Sequence, residues 1–265
     1  MAKKNVAAAK AGKEILENPE ALQEKVMGVE HWIESNPKIV FGTVGALLVI
    51  VAGYFGYQYY VGNQDEQAQK EMFQAVRYFE KYIETGHDSL NIAMKGDGNN
   101  LGFEDIINDY GMTKAGNLAS FYAGAISLRQ GKYKLGRLYL EDFSSSDLLV
   151  QARAYSLIGD SYMEENDFGN AASFYNKAAN YKPNKFFSPV YMMKEALAYE
   201  KLNQNDKAIK VYQKIVDEYW DSTEIQNAKK YKARLEANSW FDLAEPLRLV
   251  RNADCFVSLQ WRTSF

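Results

Sequence analysis

One cysteine, two histidines and five prolines in 265 residues are the scarcities that narrow this chain. A lone cysteine, Cys255, permits no intrachain disulfide and by itself assigns no redox compartment. The two histidines, His31 and His87, stand on opposite sides of the only long apolar run, so they cannot share a metal or form an acid–base couple. Ser144, Ser145 and Ser146 have no histidine within their part of the chain, and the acid pairs Glu164–Glu165 and Asp217–Glu218 fall where solvated charge is the default. No constellation for covalent, metal or general acid–base chemistry emerges, which speaks against an enzyme, and no cofactor is implied. A net charge of −3, mixed in sign, gives no electrostatic case for nucleic acid. Few prolines beside 19 Tyr and 14 Phe point to a helical architecture with many aromatic contacts.

What the chain does have is one run without charge or proline, IVFGTVGALLVIVAGYFGY over 39–57. A helix rises about 1.5 Å per residue and a bilayer core is about 30 Å thick, so such a run crosses it once. A cleaved signal has a short charged start, a shorter apolar region and small residues at its cleavage site. Here 38 residues precede the run, and it leaves through Tyr54, Phe55, Tyr57, Tyr59 and Tyr60, rings suited to an interfacial belt. The sequence therefore predicts an uncleaved transmembrane helix over 39–61, lodged in the lipid bilayer.

Flanking charge does not decide orientation, with Lys25 and Lys38 on one side against Lys70, Arg77 and Lys81 on the other. Lys3, Lys4, Lys10 and Lys13 in the short N-terminal tail favour a cytoplasmic N-terminus. In the span, Gly42 with Ala46 and Ala52 with Gly56 form two small-xxx-small pairs. Close helix packing and the ordinary frequency of glycine in such helices both account for them. Ahead of the span, Leu22, Val26, Val29 and Ile33 lie at helical spacing, giving an amphipathic helix over 20–34 within a tail of 1–38. It either meets a membrane leaflet or partner, or is simply solvated.

The remainder repeats itself. Numbering Ala152 as 1, residues 152–185 place Tyr155 at 4, Ile158 at 7, Gly159 at 8, Tyr162 at 11, Ala171 at 20, Tyr175 at 24, Ala178 at 27 and Pro183 at 32. These offsets match the tetratricopeptide pattern of paired helices A and B, small residues marking their crossing and proline stopping helix B. Residues 117–150 align with Gly124 at 8, Gly136 at 20 and Phe143 at 27; residues 189–222 align with Ala196, Ala208 and Ile215. A degenerate unit over 65–116 comes first: a helix at 67–84 with Phe73, Val76, Phe79 and Ile83 inward, then a loop at 95–102. Residues 224–237 read as a capping helix, completing a repeat region at 117–237. The fold class is thus all-α, a single transmembrane helix followed by a tetratricopeptide-repeat α-solenoid.

Two further segments are less informative. KGDGNNLG over 95–102 lacks the spacing of a phosphate loop and, as a calcium loop from Asp97, puts Leu101 and Asn108 where oxygen-rich ligands are needed, so it reads as a plain turn. The tail 238–265 continues no repeat yet carries Trp240, Phe241, Leu247, Phe256 and Trp261. Packing on the last repeat, contact with a partner and poor order all remain open for it.

In such a solenoid, positions 2, 5, 9, 12 and 13 of each A helix face the concave groove. The first repeat supplies Leu118, Phe121, Ala125, Leu128 and Arg129, and the second Arg153, Ser156, Asp160, Met163 and Glu164. The third supplies Val190, Met193, Leu197, Glu200 and Lys201. A clamp for acidic C-terminal peptides resembles Lys at 5 and Asn at 9, which this chain lacks. Apolar residues with a few mixed charges suit a polypeptide carrying exposed apolar side chains, although a neighbouring helix covering the same surface accounts for them equally.

The order of parts, with ENPEALQEK (17–25), QAVRYFEKY (74–82) and AMKGDGNNLGFEDIINDYGMTKAGNLASFYAGAISL (93–128), resembles the YfgM-like family of ancillary SecYEG translocon subunits, Bacteroidota versions especially. The resemblance covers about 14–237, and the tail after 237 looks foreign to it. It implies a bacterial inner-membrane protein, N-terminus cytoplasmic and repeats periplasmic. Its partners would be the SecYEG translocon, a membrane-tethered periplasmic chaperone or prolyl isomerase, and secreted polypeptides. A structural scaffold subunit of another envelope secretion or outer-membrane assembly complex is the other reading.

Overall fold

Three helices of this chain start on short polar side chains. Thr113 accepts from the Gly116 N–H at 3.0 Å, and Asp147 from the Leu149 and Val150 N–H groups at 2.8 and 3.0 Å. Asp167 accepts from the Asn170 N–H at 3.2 Å, again satisfying a donor that the first turn leaves free. The A helices end on a left-handed residue at position 15 of each repeat: Gly131 (φ 73°), Asn166 (φ 61°) and Asn203 (φ 56°). The next N–H then reaches back to the A helix, Lys132 to Ser127 O, Asp167 to Tyr162 O and Gln204 to Tyr199 O, each at 2.9 Å. One device, used three times, turns each A helix into its B helix.

The computed structural model describes residues 33–86 and 88–237. The expectations for His31, His87, Cys255 and the tail 238–265, and nearly all of the amphipathic helix, lie outside the described residues. The described elements are α1 (Pro37–Thr85), α2 (Leu90–Lys95), α3 (Phe103–Tyr110), α4 (Lys114–Arg129), α5 (Tyr133–Asp142), α6 (Leu148–Glu164), α7 (Phe168–Asn180), α8 (Ser188–Lys201) and α9 (Asn205–Glu218). A last helix, α10, covers 225–237. No strand occurs among the described residues.

The chain divides into two units, Met1–Asn63 and Gln64–Phe265. In the first, the apolar side chains of α1 are solvent-facing: Phe41 is 78% and Ile50 71% exposed. Gly42 and Gly56 are open as well, an added Cβ meeting nothing within 4 Å at either. Such exposure on a run this long is what a lipid-facing helix presents, and α1 is long and apolar enough to cross a membrane. The sequence predicts a span over 39–61 and a separate helix at 67–84, whereas α1 is one helix of 49 residues. No proline intervenes, and Gly62 costs only about 1 kcal/mol in a helix interior.

In the second unit consecutive helices pack in pairs, α4 on α5, α6 on α7, α8 on α9, with α7 in turn on α8. A Cβ on Gly124 would lie 2.6 Å from Leu140 Cγ and 3.0 Å from Gly136 O; one on Gly136 would lie 2.5 Å from Leu128 Cδ2. Backbones therefore touch where α4 crosses α5. In the next pair a Cβ on Gly159 would lie 2.7 Å from the Tyr175 ring, and in the third Ala196 and Ala208 are both fully buried. Beyond them Ala228 and Leu235 of α10 close the core on Tyr212 and Ile215.

Ahead of the repeats, α1 lays Ala68, Met72 and Ala75 against Phe103, Ile106 and the alanines of α4. This corrects the expected inward face: Val76 and Phe79 pack there, but Phe73 is 64% and Ile83 52% exposed. Ala68, Met72 and Ala75 form the buried face of this part of α1, and Phe73 and Ile83 lie off that face. The loop 96–102 folds as a turn about Asp97, whose carboxylate accepts from the Asn99 and Asn100 N–H groups at 2.9 and 2.7 Å and from Tyr78 OH at 2.7 Å. Those donors, Tyr78 first, hold the Asp97 carboxyl well below the usual range.

Two outcomes follow from this packing. Gly124→Val should destabilise the domain by about 1–3 kcal/mol through overpacking of the α4–α5 crossing. A fall in the thermal midpoint by circular dichroism checks it; an unchanged midpoint would show that the crossing is loose. Glu195, 4% exposed and bonded only by Asn176 Nδ2 at 3.0 Å, has its carboxyl pushed up to about 6 by burial. Ionisation is thus disfavoured in the folded state, so this residue costs stability as pH rises from about 4.5 through 6, by about 2 kcal/mol at neutral pH. Glu195→Gln should raise the midpoint at pH 8 more than at pH 5, as measured by denaturant titration.

Candidate functional site

The A helices α4, α6 and α8 run side by side, and their shared face is the candidate site. Two depressions occupy it. The first, about 450 Å³, is lined by Phe79 and Ile83 of α1, Phe121, Ala125, Leu128 and Arg129 of α4, and Arg153, Leu157, Asp160 and Glu164 of α6, with Tyr133 at its edge. The second, about 560 Å³, is lined by Met193, Lys194, Leu197, Glu200 and Lys201 of α8, Tyr212 of α9, and Tyr231 and Arg234 of α10. The walls of the first are aromatic and aliphatic, with Arg129, Arg153 and Glu164 at its exposed rim.

A polar bridge separates the depressions. Lys194 Nζ donates to both Asp160 oxygens, at 2.7 and 3.0 Å, and lies 3.3 Å from Ser156 Oγ. Tyr175 OH donates to the same carboxylate at 2.7 Å, and burial with the nearby Asp160 charge raises its phenol above the ordinary value. The Lys194 and Asp160 side chains are each about one-third exposed (31% and 33%), so the pair is partly screened and its main consequence is geometric. It fixes side chains of two successive A helices across the groove floor.

At the far end, Glu200 accepts from Tyr212 OH at 2.7 Å and pairs with Arg234 of α10. Burial and that hydrogen bond push the Tyr212 phenol upward. At the near end the Arg129 guanidinium stands 5.6 Å over the Tyr82 ring, a cation–π contact closing the rim. Among the described residues no cluster of His, Cys, Asp and Glu side chains converges for a metal ion.

Of the sequence-derived groove residues, Phe121, Ala125, Leu128, Arg129, Arg153, Asp160 and Glu164 come together in the first depression. Met193, Leu197, Glu200 and Lys201 come together in the second. Four do not join either one. Leu118 is half-buried between two core clusters and lines a separate shallow hollow with Phe73 and Lys114. Met163 packs on Ala171, Ala172, Tyr175 and Ala198, and Val190 is half-buried outside both depressions. Ser156 is fully buried, a correction to its placement on the open groove: Lys194 of α8 lies over it, with Nζ 3.3 Å from its hydroxyl.

Periodicity could not have found Lys194, at position 6 of its repeat, nor Tyr231 and Arg234, which belong to the terminal helix. Phe79 and Ile83 were visible as apolar residues, but only the position of α1 beside α4 and α6 makes them groove lining.

Comparison with known proteins bears on the fold. No curated protein matches the chain. Crystal structures of the nearly identical TPR-like repeats of a candidate kinesin light chain from Podosopora anserina are similar at 11% identity. One covers 73% of this chain and 97% of its own at a TM-score of 0.48. A point variant of it, also 11% identical, covers 75% and 98% at 0.47. Tetratricopeptide-repeat family models match residues 152–185 and 191–222, the α6–α7 and α8–α9 pairs with their turns. The chain is therefore an all-helical protein built on tetratricopeptide repeats, a fold that typically serves as a non-catalytic scaffold for protein–protein interaction, with one helix long and apolar enough to cross a membrane.

Proposed function

We propose that this protein is a non-enzymatic, membrane-tethered interaction module that holds segments of secreted polypeptides as they leave the SecYEG translocon, acting with a membrane-tethered periplasmic chaperone or prolyl isomerase. The observation that carries the interaction reading is the divided groove. An apolar hollow of about 450 Å³ and a second of about 560 Å³ lie along one face, each with a few fixed charges. Such a surface accepts successive apolar side chains of an extended or helical peptide, the rim charges setting its direction. The tether reading rests on the solvent-facing apolar length of α1. The translocon and the inner-membrane topology, N-terminus cytoplasmic and repeats periplasmic, rest on the resemblance of 14–237 to the YfgM-like family.

A scaffold subunit of another envelope complex is the alternative, and the groove serves it if one fixed partner fills both hollows. Photo-crosslinkers at Arg153 and Leu197 in living cells separate the two. Both positions are exposed and line different hollows, whereas Phe121 packs 5.3 Å from the Phe143 ring and is better left intact. Translocon subunits, a periplasmic chaperone and assorted secretory chains in the adducts are the expected result. A single stoichiometric envelope protein at both positions would replace this reading with the scaffold one, and adducts at neither would remove the groove from function.

A further inference from the structure

We infer that the edge of the solenoid made by the connections between repeats rests on the bilayer surface, seating a row of exposed apolar side chains among neutral lipids. This rests on the membrane-tether reading above and extends it to the repeat domain. A ladder of polar bonds runs along that edge. Asp65 Oδ1 accepts from the Ala115 N–H at 2.8 Å; Asn117 exchanges two hydrogen bonds with Ser144, at 2.8 and 3.0 Å. Tyr181 OH and Lys182 Nζ donate to Ser145 O and Ser146 O, and Lys185 pairs with Asp221 at 2.8 Å. The ladder thus ties each connection to the next, from residue 65 to residue 221.

Against this polar ladder the same connections expose large apolar groups. Met112 is 73% exposed, Leu148 40%, Leu149 44%, Phe186 68%, Phe187 42% and Trp220 71%. The turns of the opposite edge, at 130–132, 165–167 and 203–205, carry no large apolar side chain, and next to them in the helix ends only Ile83 (52%) and Leu135 (37%) are exposed among the described residues. The first edge thus exposes six large apolar groups, two of them above 70%, against two smaller ones on the other, so the apolar surface is concentrated on one edge.

The tether decides what the row meets. Asp65, at the head of the ladder, follows the span 39–61 by four residues, which reach at most about 14 Å even when fully extended. The edge at Asp65 is thereby held close to the headgroups, at whose boundary with the acyl chains Trp, Phe and Leu insert. Charge selects the lipid. The connections 109–114, 141–149, 181–187 and 217–224 carry eight acidic and three basic side chains, so anionic headgroups are repelled and insertion is apolar in origin.

The test uses the full chain with Cys255→Ser, reconstituted into phosphatidylcholine vesicles. A fluorophore is placed by Trp220→Cys, by Phe186→Cys as an independent position, by Lys132→Cys on the opposite edge, and by Leu48→Cys in the span. Lipids carrying a quencher near the headgroup should extinguish the labels at 220 and 186 and spare the one at 132. Replacing part of the lipid with phosphatidylglycerol should weaken the loss at 220. Quenching at 48 by mid-bilayer quenchers with 220 and 186 as bright as 132 would overturn the proposal and leave the tether intact. No quenching at 48 would overturn the tether reading and this proposal with it.

Discussion

The close approach of paired helices is the constraint on which the rest of the repeat domain depends. Where α4 crosses α5, Gly124 and Gly136 leave backbone against backbone, and any Cβ there would sit within 3.0 Å of a neighbour. The same level of the next pair is filled differently, by the Tyr175 ring over Gly159, and the third uses Ala196 against Ala208. Small residues thus recur at the crossing of each pair, in three different combinations. That regularity brings the A helices side by side and gives the groove a continuous floor.

Polar side chains divide the labour in that frame. Asp147 and Asp167 are spent on helix starts, and Asp97 on its own loop. Asp160 is different: it takes no backbone donor but receives Tyr175 from within its repeat and Lys194 from the following one. A single carboxylate therefore ties pair α6–α7 to α8 and marks the boundary between the two hollows. Glu200 repeats the arrangement one repeat later, with Tyr212 and the Arg234 of α10. The internal logic of the solenoid extends into its last helix through charge as well as through Ala228 and Leu235.

Edges and faces carry separate tasks. The concave face holds the hollows, lined by one aromatic and aliphatic set and one more basic set. The connections between repeats carry the polar ladder and the outward apolar row. Glu195 belongs to neither; it is buried behind the groove where α7 meets α8, with Asn176 as its hydrogen-bond donor. Burial pushes its carboxyl above the ordinary range.

The amino-acid sequence alone determined the elements whose causes are local. Lack of charge over 39–57 predicts a membrane-length helix, and small residues at fixed offsets predict the paired-helix repeat, because both depend only on composition and period. Seven of the groove positions in the first two repeats and four in the third were legible for the same reason. What the tertiary structure decided depends on how helices rotate and where they end. The buried face of α1 runs through Ala68, Met72 and Ala75 and leaves Phe73 and Ile83 outward, Ser156 is buried next to Lys194, and Lys194 bridges two repeats from a position that no single repeat marks as inward. Those outcomes are set by neighbours remote in sequence, so a periodic pattern read along one chain does not contain them.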